Sequence, residues 1–100
     1  MQVVDTAMTF QLTRGSGPVQ LNRFVRFESP VSAAVAILTG FTASFYPRTD
    51  HHLGELDVRL QTRIESDGDV TITVTFGLRD RSGNWDDFYD GRIEFAVIGW

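Results

Sequence analysis

The chain has 100 residues, 42% of them hydrophobic and 22% charged, which fits a single globular domain over 1–100 and excludes a disordered segment. Its formal net charge of −4 opposes a phosphate backbone, so nucleic acid is not an expected partner. All nine basic residues are arginine and there is no cysteine. That removes disulfides, thiolate zinc sites, cysteine nucleophiles, Schiff-base lysines and P-loop lysines together.

The first residues carry Asp5 and no basic flank, so they do not read as a signal peptide. Residues 1–9 read as an N-terminal arm ahead of the core. No apolar run approaches the ~20 residues of a membrane span. Met8, Phe10 and Leu12 alternate with Thr9, Gln11 and Thr13, which predicts a strand, and Gly15-Ser16-Gly17-Pro18 ends it. Val19 and Leu21 lead towards Val25 and Phe27 before Glu28-Ser29-Pro30 breaks the chain. Residues 31–38 are small and continuously apolar, a pattern open to a strand buried on both faces or to a helix. Val31, Val35 and Ile37, between Pro30 and Gly40, favour the strand. Residues 41–46 read as another short strand.

In the second half, Leu56, Val58 and Leu60 alternate with Asp57, Arg59 and Gln61. Val70, Ile72, Val74, Phe76 and Leu78 then face one way, and Thr71, Thr73 and Thr75 the other. Between them, Asp67-Gly68 supplies the positive φ of a tight hairpin. Gly77 reads as a packing or bulge position. Residues 92–99 form the last strand, with Ile93, Phe95 and Val97 on one face and Ala96 and Ile98 giving the other an apolar character. Six to seven strands with regular turn signals, and no 3.6-residue period, predict an all-β antiparallel sandwich.

Two polar loops, 47–54 and 79–91, stand where sandwiches carry function. The second gathers Asp80, Asp86, Asp87 and Asp90 beside Trp85, Phe88 and Tyr89, with Arg79 and Asn84 at hand. An aromatic face stacks on the C–H face of a sugar, and nearby acids, amides and arginines bond its hydroxyls. The same residues have a structural reading, in which Trp85 caps the core and the aspartates pair with Arg79, Arg81 and Arg92. Asp80, Ser82, Asn84 and Asp86 alternate like calcium ligands, but the EF-hand glycine and glutamate positions hold Trp85 and Gly91; that leaves another kind of oxygen-ligand calcium site as an open alternative to loop acids without an ion, which is the favoured reading. His51 and His52 with Asp50 and Glu55 invite a metal; adjacent residues of an extended chain point apart, so His51 reads instead as a ligand, backbone or subunit contact. Nothing catalytic assembles: there is neither a nucleophile elbow nor a phosphate loop, and the chain does not read as an enzyme.

Phe24-Val25-Arg26-Phe27-Glu28-Ser29-Pro30, followed by the apolar run into Leu38-Thr39-Gly40-Phe41, resembles the opening of the H-type lectin domain. Residues 56–60, 70–76 and 89–98 resemble its later strands, so the likeness spans about 19–99. That resemblance implies a six-stranded antiparallel sandwich assembling as a homotrimer. It also implies non-catalytic binding of N-acetylgalactosamine-type sugars near subunit boundaries, with Tyr89 as a sugar contact. The family's middle-strand arginine falls at or near Asp57, and its Trp-His pair meets Leu78-Arg79 or Arg79-Asp80.

The expectation is therefore an oligomeric glycan-binding module with contacts from Trp85, Tyr89, Asp86, Asp87, Arg79 and His51. The alternative is a structural or protein-interaction domain on the same fold, its loops joined between subunits by arginine–carboxylate pairs. The missing export signal and cysteine suit a bacterial cytoplasm or release by a non-classical route.

Overall fold

The structure, a computed structural model, describes residues 1–13, 17–46, 52–82, 85 and 88–100, without the side chains of Leu12 and Thr13. Six strands are present: β1 (Gln2–Thr13), β2 (Val19–Val25), β3 (Ala34–Tyr46), β4 (Leu53–Ile64), β5 (Val70–Asp80) and β6 (Phe88–Gly99). They form two three-stranded sheets, ordered β1-β6-β3 and β2-β5-β4, and every pairing is antiparallel. Among the described residues no helix is long and apolar enough to cross a membrane.

The central strands β5 and β6 carry the core, as their alternation predicts. Val70, Ile72, Val74, Phe76 and Leu78 from β5 meet Tyr89, Ile93, Phe95 and Val97 from β6, all buried. Burying each such side chain stabilises the fold by ~1.5–3 kcal/mol. Phe10 of β1 joins them, its ring 5.2 Å from that of Phe76, so the two sheets pack face to face as a sandwich. Phe27 and Val31, in the link between β2 and β3, close one end of the core.

The β4–β5 hairpin forms where Asp67-Gly68 predicts it. Gly68 N–H donates to the Glu65 carbonyl (3.0 Å), Glu65 N–H donates to the Asp69 carbonyl (2.8 Å), and Gly68 takes a left-handed φ of +85°. The loop is therefore three residues, 66–68, with glycine at its left-handed position.

Two expectations change. Residues 2–10 are not an arm: they pair residue for residue with β6, from Gln2–Gly99 to Phe10–Gly91. The stretch 31–38 is not a separate strand buried on both faces. From Ala34 it runs on through the expected 41–46 strand as one 13-residue element, at the edge of its sheet. An irregularity between Leu38 and Gly40 absorbs one extra residue. It keeps the inward phase: Leu38 lies opposite Phe95, and Phe41 opposite Ile93.

The result is long and narrow. Its extents are 47 × 21 × 18 Å and its radius of gyration is 15.3 Å, against about 13 Å for a compact chain of this length. Strands of 11 to 13 residues set the long axis.

Candidate functional site

At the loop end, β2 stops at Val19, opposite Phe76, while β5 runs on to Asp80. Gly77, Leu78 and Arg79 therefore have β4 on one side and no strand partner from β2. Trp85 fills the gap. A Cβ on Gly77 would stand 3.0 Å from the Trp85 ring and 3.0 Å from Pro18, so glycine here admits both side chains. Gly77 is a packing glycine, and the strand keeps its register through it.

Behind Trp85 an aromatic column descends into the core. Trp85 stands 6.3 Å from Tyr89, Tyr89 lies edge-on to Phe76 at 5.5 Å, and Phe76 meets Phe10. Above it, the Arg79 guanidinium sits 5.6 Å from the Trp85 ring centre and donates from Nη2 to Glu55 Oε1 at 3.1 Å. Such a cation over an indole is attracted by the ring quadrupole. Cation, indole and carboxylate thus stand side by side at the half-buried end of the sandwich.

The six residues expected at a ligand site separate. Trp85 and Arg79 are brought together here. Tyr89 is corrected: it is fully buried, and its hydroxyl donates to the Gly17 carbonyl at 3.2 Å, so it is a core residue with no surface to offer a ligand. His51, Asp86 and Asp87 lie outside the described residues, as does Asn84. Asp80 accepts from the Ser82 N–H (2.9 Å), a local turn contact. The His52 carbonyl accepts from the Arg81 N–H (2.9 Å). Among the described residues no three histidine, aspartate or glutamate side chains converge as a metal site. Arg92 pairs with Glu94 (3.3 Å) on its own strand.

The clearest electrostatic shifts lie at the opposite end. Asp69 accepts from Arg26 Nε (3.0 Å) and Nη2 (2.8 Å), and that hydrogen-bonded cation holds its carboxyl below the ordinary range and raises Arg26. Glu65 is lowered by the Thr71 hydroxyl (2.6 Å) and by Arg63 (2.9 Å). These contacts brace the β4–β5 hairpin.

Two further surfaces went unread in the sequence. One is the long β3–β4 edge. There Leu38 and Phe41 stay 41% and 48% exposed although they face inward, opposite half-buried Leu56, Val58 and Leu60. The other is the outer face of β2-β5-β4, where Phe24 is 74% exposed in an otherwise polar array. The signal for it was parity: Val19, Leu21 and Val25 set the inward phase of β2, and Phe24 is out of phase with them. No family model, curated protein or solved structure matches this chain.

Proposed function

We propose that this chain is a self-associating, non-catalytic carbohydrate-binding module of H-type-lectin-like fold, whose copies meet along the β3–β4 edge as a homotrimer. The observation that carries this reading is the open apolar seam. Leu38 and Phe41 belong by phase to the sandwich interior, yet they remain 41% and 48% exposed. Next to the seam, Val35 (41%) and Ile37 (47%) are exposed on the outer side of β3. Removing such surface from water stabilises an assembly by about 25 cal/mol per Å². Further copies of the chain are the occupants that fit, because the seam follows the 47 Å long axis and three equally long, equally apolar strand pairs can turn toward one shared axis.

Sedimentation velocity at micromolar concentration tests the assembly. The expected species has about three times the 11.2 kDa chain mass. A monomer at every concentration overturns the reading.

The carbohydrate part draws on the strand count and on the loop end. Six strands in two antiparallel sheets agree with what the H-type lectin resemblance implies. Trp85 with Arg79 and Glu55 provides an aromatic face beside hydrogen-bonding groups. Binding to a glycan array by the native oligomer, lost in Trp85→Ala with the oligomer intact, is the expected result.

The reading of a structural domain without sugar binding is favoured by one observation. Trp85 and Arg79 already have internal partners in Tyr89 and Glu55. An oligomer that dissociates in Trp85→Ala, with no glycan bound by the parent chain, selects it.

A further inference from the structure

The outer face of β2-β5-β4 is a lattice of three complete rows, each taking one residue from β2, β5 and β4: Phe24–Thr71–Arg63, Asn22–Thr73–Gln61 and Gln20–Thr75–Arg59. Strand geometry separates the rows by about 7 Å and the columns by about 4.8 Å. A polar outer face is what an antiparallel sheet ordinarily turns to water. Three features distinguish this one.

Its charges are already neutralised. Arg63 pairs with Glu65 at 2.9 Å and Arg59 with Asp57 at 2.9 Å, so the face has no unanswered cation for a phosphate or sulfate. Its hydrogen-bonding capacity is not used up. Thr73 Oγ1 donates to Asn22 Oδ1 (3.0 Å), which leaves the Asn22 amide N–H groups pointing for other acceptors. The Gln61 side chain makes no hydrogen bond among the described residues. Finally, the face is concave between Asn22, Thr73 and Gln61, and Phe24, in the next row of β2 and opposite Thr71, is 74% exposed.

Thr71 and Thr75 are buried beneath their neighbours and Thr71 already donates to Glu65, so the exposed amides of Asn22 and Gln61 carry the face. Charge-neutral planar amides beside one exposed aromatic ring match a neutral polyhydroxylated ligand. The ring would take the apolar C–H face of a pyranose, and the amides would exchange hydrogen bonds with its hydroxyl groups. We infer that the outer face of β2-β5-β4, centred on Asn22, Phe24 and Gln61, is a binding site for a neutral oligosaccharide, separate from the Trp85 end. This inference rests on the carbohydrate reading of the chain and adds a second place where it operates.

The test is a nitrogen-15 NMR titration of the full-length native oligomer. The probes are chitotetraose, mannotetraose, cellotetraose and maltotetraose at millimolar concentration, with a sialylated trisaccharide as the charged comparison. The expected result is movement of the Asn22 and Gln61 side-chain amide signals with at least one neutral probe. Phe24→Ala and Asn22→Ala should each weaken that binding about tenfold, the loss of one stacking or hydrogen-bonded contact. Both side chains are solvent-exposed, and an unchanged circular dichroism spectrum and melting midpoint confirm that the variants fold. Movement of the Trp85 indole signal alone, with the Asn22 and Gln61 amides still, overturns this site and leaves the carbohydrate reading standing. Silence at both positions overturns the two together. A preference for the sialylated probe at the Asn22 and Gln61 amides also overturns the inference, because a neutralised face has no basis for it.

Discussion

Along the β1–β2 edge of the sandwich, Arg23 faces inward by register, opposite Ile72, and its Nε donates to Thr6 Oγ1 across the gap at 2.9 Å. Along the β3–β4 edge the inward positions hold Leu38 and Phe41 on one strand and Val58 and Leu60 on the other. A charged group placed inside an edge is a means of discouraging a second chain from adding there, because covering it would bury an ionised side chain. The first edge has that device, and the second has apolar side chains left partly in water. In the proposed assembly the two flanks of the same fold therefore act in opposite ways: one resists a partner and the other gains from one.

The largest effect is expected from reversing the second edge. Phe41→Glu places a carboxylate where the proposed assembly is dry, at a cost of ~3 kcal/mol for an unpaired charge. That is ~100-fold in the dissociation constant. Sedimentation velocity should show the trimer replaced by a folded monomer. If Phe41→Glu sediments as the parent does, the β3–β4 seam is not the contact. The matching change on the first edge, Arg23→Gln, should leave the sedimentation coefficient unaltered, and a difference between the two variants is what separates the flanks.

Smaller effects are expected at the loop end. Trp85→Ala removes a half-buried ring from Gly77, Pro18 and Tyr89, and should lower stability by about 2 kcal/mol, less than the loss for a fully buried aromatic. Denaturant unfolding measures it. Tyr89→Phe deletes the hydroxyl that bonds the Gly17 carbonyl and keeps the ring, a loss of about 1 kcal/mol. The melting midpoint should drop by about 4–8 °C, with sugar binding untouched, since the ring has no exposed surface. Reduced sugar affinity in Tyr89→Phe would contradict the placement of that side chain in the core.

How much of this was legible in the sequence differs between the centre and the edges of the sheets. β5 and β6 announce themselves because a half-buried strand must alternate, and the residues read as one face, Val70 to Leu78 by twos and Ile93, Phe95 and Val97, are the buried ones. Edge strands obey a weaker rule. The run at 31–38 is apolar on both faces, and a single chain cannot say whether its second face meets a neighbouring layer or another molecule. In the structure Val35 and Ile37 are 41% and 47% exposed on the outer side of the chain. Residues 1–9 were expected to be an arm ahead of the core. Yet backbone pairing with β6 does not depend on side-chain polarity, and it orders them. Of the candidate site, Trp85 and Arg79 were legible as types and their meeting was not, since it depends on where β2 stops. Tyr89 was misplaced because an aromatic before a strand looks alike from either side of the sheet. Its inward phase is set by Ile93 and Phe95 further along β6.

The smallest effect concerns the hairpin end, and its direction follows from the two lowered carboxyls. Asp69 and Glu65 are held below the ordinary carboxylate range by Arg26 in one case and by Thr71 and Arg63 in the other. A group whose pKa is lower in the folded chain than in the unfolded one binds fewer protons when folded. Its contribution to stability is therefore complete above the unfolded value, about 4, and fades as the pH falls through the lower folded value. Melting midpoints should be level from neutral pH down to about 5 and decline below about 4. Both pairs are solvent-exposed on the arginine side, so salt should shrink the decline. Asp69→Asn removes the stronger pair and should flatten the acid limb while leaving the oligomer and the β3–β4 edge as they were. An acid limb of unchanged steepness in Asp69→Asn would assign acid sensitivity to Glu65 or to the association surface instead. Dilution separates the cases, because unfolding coupled to subunit loss shifts with protein concentration and the hairpin's titration does not.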